Sequence, residues 1–386
     1  MLTALIRLNV NHPASPDGPG GSLIRRYIPE LDGLRTFAIA AVLLVHSNFG
    51  FPSAALEQAR AYCWVGVDLF FVISGFLITN ILLDSRDRPH YYRNFYARRG
   101  LRIWPLYYLL LFLAFVVLPL LGNWANKDYD PKVHFWLYYL VYMQNLVYNR
   151  LGSFSLVITW SLCVEEQFYL IWPFLVRLFS RRTLTGIAIA VLLLGTPFRM
   201  FLHHIGTSMG FFFTFARLDP IAVGALVALH PKWFKHTWLA GIWTVWLMHT
   251  GDFEYIYLAL ALTFGSVVMH AAVDGNRFLR LPQMTYIGKI SYGIYIYHPV
   301  VFALFWLLPY CWLVEKLPGG TMLRMIGQLL LPLPIAALSW HYIEQPILRL
   351  KKHFEIREPQ PLPVPQAATE PALAGLPAHA MAQSAD

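Results

Sequence analysis

The sequence predicts an all-α protein that crosses a membrane many times. Of its 386 residues, 57% are hydrophobic, whereas soluble domains are about 45–50% apolar. Charged residues make up 13%, about half of the usual share of roughly 25%. The apolar residues gather in runs near the length of about 20 that a helix needs to cross the hydrocarbon core. This composition excludes an ordinary soluble enzyme, a disordered chain, a collagen-like fibre and a disulfide-stapled secreted domain.

About ten transmembrane helices are expected. A span needs about 17–25 apolar residues, and shorter runs at 216–230 and 237–250 are included although they fall below that length. In chain order the predicted spans cover residues 35–52, 62–84, 101–122, 160–180, 184–202, 216–230, 237–250, 255–273, 287–308 and 322–343.

A further apolar segment, 134–149, is predicted to be re-entrant or interfacial. Loops rich in Lys and Arg stay in the cytosol, so the arginine-rich loop 85–102 fixes the inner side. If 134–149 does not cross, the later basic loops also fall inside, and ten spans place both termini in the cytosol. We therefore expect a flexible cytosolic arm at 1–26, a membrane domain at 27–353 and a disordered cytosolic tail at 354–386.

The net charge of +9 is assigned to membrane topology rather than to nucleic-acid binding, because many Lys and Arg residues flank the apolar runs. Three cysteines, Cys63, Cys163 and Cys311, lack metal-ligand spacing, and their odd number argues against a disulfide framework. We expect membrane lipid as a partner, and neither a metal ion nor a nucleic acid.

Several ionisable side chains lie inside the predicted spans, where such groups usually face a cavity or a partner. His46 follows Arg35 by eleven residues, which is about 16 Å along a helix. Arg35 is then at the inner face and His46 in the outer half of the bilayer. Asp68, Glu165 and Glu166 are predicted to lie at roughly the depth of His46, because of their positions within their own spans. His298 is predicted to lie near the middle of its span.

Six motifs follow one another over about 310 residues. They are ELDGLRTFAIAAVLLVH (30–46), GVDLFFVISGFLIT (66–79), FYARRGLRIWPLYY (95–108), TWSLCVEEQFYLIWP (159–173), ISYGIYIYHPVV (290–301) and YIEQP (342–346). The first holds Arg35 and His46 as an R-x10-H pair, and the third holds Arg99 and Arg102 as R-x-x-R. Together they resemble the acyltransferase-3 family of polytopic membrane O-acyltransferases, in the form without a fused soluble domain.

The resemblance implies an acyl-CoA-dependent O-acyltransferase of the bacterial inner membrane. The donor would be cytosolic acyl-CoA, first of all acetyl-CoA, and the acceptor a hydroxyl of a glycan or lipid-linked saccharide outside the membrane. His46 would be the general base, since the ordinary pKa of histidine, about 6.5, lies near working pH. Asp68 or Glu165 would hold its tautomer, and the sequence does not choose between them.

The resemblance also implies that Arg99 and Arg102, one helical turn apart, clamp the phosphates of coenzyme A. Arginines that precede a span also fix topology without any further role. Arg35 would join the clamp or pair with Asp32 or Glu30.

Four more residues are expected to contact the substrate or support the site: His298, Glu166, Ser161 and Trp160. Two structural alternatives stay open. His298 precedes Pro299 and could satisfy a backbone carbonyl that the proline frees. Glu165 could be a buried carboxylate that bonds to Ser161 or to a tyrosine and ties helices together.

Three other functions are compatible with parts of this pattern. One is acylation of a small secondary metabolite such as a macrolide. Another is transport of a lipid-linked or small polar substrate, although transporters often show inverted repeats and GLRTFAIAAVLLVH has no counterpart in the second half. A membrane scaffold would leave the intramembrane ionisable groups without a purpose.

Overall fold

The computed structural model describes residues 27–47, 53–117, 136–147, 154–251, 253–307 and 320–354. Within these ranges the chain is helical and contains no strand, which confirms the all-α class for the described residues. The predicted arm, and all of the predicted tail except its first residue, lie outside these ranges.

Twelve α-helices of eight residues or more occur in the described ranges. They are α1 (Pro29–His46), α2 (Ala54–Ala61), α3 (Val65–Ser85), α4 (Tyr91–Phe112), α5 (Trp160–Leu178), α6 (Arg181–His204), α7 (Asp219–Leu229), α8 (Ala240–Thr250), α9 (Phe253–Val273), α10 (Pro282–Leu307), α11 (Gly320–Leu330) and α12 (Pro332–Ser339).

Five helical stretches among the described residues are long and apolar enough to cross a membrane. They are Ala54–Ser85, Tyr91–Val117, Arg181–His204, Glu254–Val273 and Met322–Phe354. The chain is therefore built as a multi-pass membrane protein. The total of about ten spans and the cytosolic position of the termini stay predictions.

Two helices begin six or more residues before the apolar runs that predicted them. α1 begins at Pro29, ahead of residue 35, since proline suits the first helical turn and Glu30 and Asp32 favour the positive end of the helix dipole. α4 begins at Tyr91, so much of the expected loop 85–102 is helix. The arginines of this stretch consequently have the fixed spacing of a helix.

The segment 134–149 is described over residues 136–147, which form a five-residue helix, Trp136–Leu140, and a 3-10 turn, Gln144–Leu146. A five-residue helix is about 7.5 Å long, whereas the hydrocarbon core is about 30 Å thick. Buried amides dock this segment, as Gln144 Nε2 donates to the Tyr107 hydroxyl at 3.0 Å. The re-entrant course stays a prediction.

Helices pack closely where glycine replaces a side chain. A Cβ added to Gly288 of α10 would lie 1.8 Å from the Asp32 carbonyl oxygen of α1, and one on Gly224 of α7 would lie 2.1 Å from the Val72 carbonyl oxygen of α3. Small residues allow backbones to approach in this way in membranes. The first contact sets α1, which carries Arg35 and His46, against α10.

Buried apolar side chains form two large clusters, one containing most of the inner face of α3 and α7, the other joining α4 and α10. Phe70 of α3 and Tyr292 of α10 pack against both clusters. Both of these side chains also line a cavity. The core therefore divides around the place where polar side chains meet.

Candidate functional site

A cavity gathers side chains from α1, α3, α4, α5 and α10. It contains about 690 Å³ of empty space, part of which is open to solvent. Its charged lining comprises Arg35, Arg99, Arg102 and Glu165, and its hydroxyls come from Ser74, Ser161, Tyr169, Ser291, Tyr292 and Tyr295. The structure thus brings five of the predicted site residues to one cavity: the three arginines, Glu165 and Ser161.

The two arginines of the R-x-x-R motif have no ion-pair partner among the described residues. The guanidinium of Arg99 lies 5.4 Å from the centre of the Tyr169 ring, and Arg102 faces the same cavity. Arg35 differs, because its Nη1 lies 2.5 Å from Asp32 Oδ1. Arg35 therefore both lines the cavity and makes the ion pair that the sequence offered as an alternative.

Glu165 is held from a neighbouring helix by a residue that sequence reasoning missed. Ser74 of α3 donates to Glu165 Oε1 at 2.6 Å and shares a hydrogen bond of 2.9 Å with the Tyr169 hydroxyl. Ser161 instead bonds to the Tyr295 hydroxyl at 2.6 Å. The available signal for Ser74 was that it is one of only two hydroxyl residues, with Thr79, in the apolar motif GVDLFFVISGFLIT.

His46 and His298 face each other, with ring centroids 5.1 Å apart. His46 Nδ1 lies 2.8 Å from the Val42 carbonyl oxygen, and His298 Nδ1 lies 2.9 Å from that of Tyr295. Because a carbonyl only accepts, both Nδ1 atoms are assigned a proton, which leaves both Nε2 atoms with a lone pair. His298 Nε2 is buried and has no hydrogen-bond partner among the described residues.

Tyr295 joins the imidazole pair to the cavity. Its side chain lines the cavity, and its ring centroid lies 5.7 Å from that of His298. Neither imidazole is among the residues that line the cavity, and His298 and Tyr295 stand between His46 and the cavity. Within the described part of the chain, no hydrogen bond joins His46 to Asp68 or to Glu165; the Val42 carbonyl accepts from its Nδ1 instead.

Asp68 lies in a separate buried cluster of four charges. Arg217 Nη2 donates to Asp68 Oδ1 at 2.9 Å, and Arg199 Nη1 lies 2.9 Å from Asp219 Oδ2. The side chains of all four are at most 2% exposed. Both guanidinium groups also lie over the ring of Tyr257, at 4.3 and 4.6 Å from its centre. Two positive and two negative charges compensate each other here.

Sequence reasoning missed three members of this cluster. Arg199 lies inside the predicted span 184–202, and Arg217 and Asp219 begin the span 216–230. Charges of opposite sign within apolar runs were the available signal, since buried charges are normally paired.

The remaining predicted residues lie around the cavity. Trp160 packs edge-on against Phe71, a cavity-lining residue, with centroids 6.0 Å apart. The Arg217 guanidinium lies 5.4 Å from the Trp160 ring, so Trp160 separates the charge cluster from the cavity. Glu166 accepts from Trp104 Nε1 at 3.3 Å. The described residues contain no group of three or more His, Cys, Asp or Glu that could hold a metal ion.

Comparison with known proteins places the chain in a family. The acyltransferase-3 family model, described as an acyltransferase domain, matches residues 28–332. YrhL of Bacillus subtilis, whose name marks it as a candidate peptidoglycan O-acetyltransferase, is 30% identical over 363 residues, which are 83% of this chain and 55% of YrhL. No solved structure matches the chain.

Two further relatives carry related names. The peptidoglycan O-acetyltransferase OatA of Listeria monocytogenes is 28% identical over 84% of this chain and 56% of its own length. The O-acetyltransferase OatA of Staphylococcus aureus is 28% identical over 86% of this chain and 58% of its own length. The chain thus spans somewhat more than half of the length of these relatives. Because the family model covers most of the chain, the protein belongs to the acyltransferase-3 family.

Proposed function

We propose that the protein is a membrane O-acyltransferase. It transfers an acyl group, first of all acetyl, from cytosolic acyl-CoA to a hydroxyl of an extracytoplasmic cell-wall glycan or lipid-linked saccharide. The observation that carries the proposal is one cavity that holds three arginines and a carboxylate and adjoins a pair of imidazoles. The names of the relatives support the acetyl group and the glycan acceptor.

The donor site is assigned to Arg99 and Arg102. Neither has a carboxylate partner in the described part of the chain, and both face the cavity. Planar guanidinium groups bind phosphate oxygens in pairs. With the diphosphate of coenzyme A on these arginines, the uncharged pantetheine arm enters the cavity and carries the thioester toward Tyr295 and the imidazoles.

The acceptor hydroxyl is activated by His46. Its Nε2 removes the hydroxyl proton while the oxygen attacks the thioester carbonyl carbon. The carbon–sulfur bond then breaks, the acyl group stays on the acceptor oxygen, and the proton passes from His46 to the departing thiolate. The competing route forms an acylated His46 before the acceptor reacts.

Neither Asp68 nor Glu165 is hydrogen-bonded to His46, so we assign these two carboxylates other roles. The Val42 carbonyl holds the His46 tautomer, which is the role expected of Asp68 or Glu165. Glu165 lines the same cavity as Arg99, so we assign it to positioning that arginine. Asp68 is assigned to the buried charge cluster.

The topology completes the proposal. Ten spans in the bacterial inner membrane, cytosolic termini and a re-entrant 134–149 place the arginines inside and His46 toward the outer side. The acyl group then crosses the membrane within the protein, without a separate transporter.

The test uses inverted membrane vesicles that contain the full chain and enclose an extract of envelope glycans. Acetyl-CoA is added outside, at the cytosolic face, and release of free coenzyme A is measured. We expect release that depends on the glycan and that His46→Ala abolishes. His204→Ala is the control and should keep this release, because His204 is exposed at the end of α6.

Two results would change the assignment. If glycan-dependent release persists in His46→Ala, the protein is still an acyltransferase, but His46 is not its general base. If neither glycan extracts nor macrolide-like alcohols cause release and coenzyme A does not bind, the acyltransferase proposal fails and transport becomes the function to test.

A further inference from the structure

We propose that Lys351 binds the 3′-phosphate of coenzyme A and thereby extends the donor site beyond the R-x-x-R motif. The inference rests on the proposed function, because it takes acyl-CoA as the donor. Lys351 lies outside all six motifs by which the family was recognised. Its role follows from where the end of the described chain folds.

The last described turn brings Lys351 to the arginine helix. Residues Arg349–Phe354 form a 3-10 turn that packs against α4. Lys351 is half-buried there, whereas its neighbour Lys352 is exposed. Because this turn packs against α4, the Lys351 ammonium lies near three arginines of that helix, Arg98, Arg99 and Arg102, which repel it.

This arrangement is unfavourable without an anion. Like charges brought together repel, and the repulsion grows as water is removed. Lys351 makes no ion pair with any described residue. A lysine stem is flexible enough to carry the ammonium group into water, yet Lys351 is half-buried here. Its position beside Arg99 and Arg102, which also have no ion-pair partner among these residues, favours a multiply charged anion between them.

The position of Lys351 selects one phosphate of the coenzyme. Arg99 and Arg102 line the cavity, and Lys351 does not. When the pantetheine arm occupies the cavity, the diphosphate at its end reaches the arginines, and the ribose with its 3′-phosphate lies farther out. A phosphomonoester carries about −1.5 to −2 charges at neutral pH, and the compact lysine ammonium suits it as a point charge.

The experiment compares two ligands that differ only in this group. Purified full chain binds coenzyme A or dephospho-coenzyme A, and affinities are measured by calorimetry for the natural sequence, Lys351→Met, Lys351→Arg and Lys352→Met. We expect Lys351→Met to bind coenzyme A about tenfold more weakly, which is the loss of one charge-assisted contact. The affinity of Lys351→Met for dephospho-coenzyme A should change less than about twofold, so the variant loses the preference for the 3′-phosphate.

The control variants separate charge from folding. Lys352→Met changes the exposed neighbour and should keep both affinities, and Lys351→Arg should keep most of the preference. Equal weakening of both ligands by Lys351→Met, or no weakening, overturns the proposal. The natural chain alone also tests it, since equal affinity for the two ligands contradicts a 3′-phosphate site.

Two further outcomes are distinguishable. If the natural chain binds no coenzyme A and turns over no acetyl-CoA, the proposed function itself fails. A lipid phosphate is the other source of the same chemistry, so the measurement is repeated in nanodiscs with and without phosphatidylglycerol. A Lys351→Met effect on binding of the anionic lipid, with an unchanged preference between the two coenzymes, would assign Lys351 to lipid and overturn the proposal.

Discussion

His46 and His298 are each fixed by a carbonyl of their own helix, Val42 and Tyr295 respectively. Such local bonds set the tautomer and the ring direction without help from another helix. The relative position of the two Nε2 atoms then depends only on how α1 and α10 pack. In the proposed mechanism His46 accepts a proton, and His298 is the neighbouring ring that can influence it, with centroids 5.1 Å apart.

Replacing His298 by alanine should lower kcat about 100-fold, the size of a typical acid–base contribution. The KM for acetyl-CoA should stay unchanged, since His298 adjoins the imidazole of His46 and not the arginines. Steady-state coenzyme A release measures both constants, with His204→Ala as the control. An unchanged kcat would leave His298 the structural role of bonding the Tyr295 carbonyl.

Arg99→Ala should raise the KM for acetyl-CoA tenfold or more, because a charge-assisted phosphate contact contributes about 1.5–3 kcal/mol. Arg93 is exposed on the same helix, so Arg93→Ala is the matched control and should leave KM unchanged. Initial rates of coenzyme A release over a range of acetyl-CoA concentrations give the KM of both variants. An equal, small effect of both variants would assign Arg99 to topology alone.

Asp68→Asn should destabilise the protein by about 3 kcal/mol or more, because it leaves Arg217 charged and unpaired in the interior. The double variant Asp68→Leu, Arg217→Met removes both charges and should recover part of the loss. Denaturant titration in detergent measures the free energy of unfolding of both variants. Normal stability combined with loss of turnover in Asp68→Asn would instead support a catalytic Asp68.

The residues that share the cavity were largely predictable, and their partners were not. Arg35, Arg99, Arg102 and Glu165 stand in local motifs, so the sequence reveals them without knowledge of packing. The pairing of Asp68 with a residue 149 positions later depends on which helices are neighbours. A charge inside an apolar run predicts that a partner exists and does not identify it.

At the scale of secondary-structure elements, the crossing of α1 and α10 positions the imidazole pair. Gly288 permits the close approach, since it has only a hydrogen where a Cβ would lie 1.8 Å from the Asp32 carbonyl oxygen. Membrane helices lack a strong hydrophobic drive to associate, so small residues at the contact matter more than in water.

Gly288→Ala should therefore separate α1 from α10, reduce kcat and lower the unfolding temperature in detergent. Gly186 is the matched control at an exposed position of α6, because an added Cβ there has nothing within 4 Å. Gly186→Ala should be neutral or slightly stabilising. Full activity in Gly288→Ala would show that the α1–α10 distance does not position the site.

The sequence located the helices better than it located their ends. Apolar runs at 35–52 and 101–122 correspond to α1 and α4, which begin at Pro29 and Tyr91. Hydropathy detects the part of a helix that lies in lipid, whereas hydrogen bonding continues into polar turns. The difference bears on the proposed donor site, because Arg99 lies in that polar extension and Arg102 lies at the start of the apolar run.

At the scale of the whole molecule, donor and acceptor are proposed to arrive from opposite faces. Sealed right-side-out vesicles should consume no externally added acetyl-CoA, and permeabilisation should restore consumption. Inverted vesicles should be active without permeabilisation. Coenzyme A release under the three conditions measures the sidedness, and equal release in sealed vesicles of both orientations would contradict a cytosolic donor site.

The buried charge cluster also constrains how the protein is made. α7 has eleven residues and is about 16 Å long, roughly half of the hydrocarbon thickness. With Arg217 two residues before it and Asp219 at its start, α7 is poorly suited to release from the translocon into lipid on its own. Asp68 and Arg199 precede it in the chain, so both counter-charges are synthesised first. We expect α7 to enter the bilayer against α3 and α6, as one step of assembly during translation.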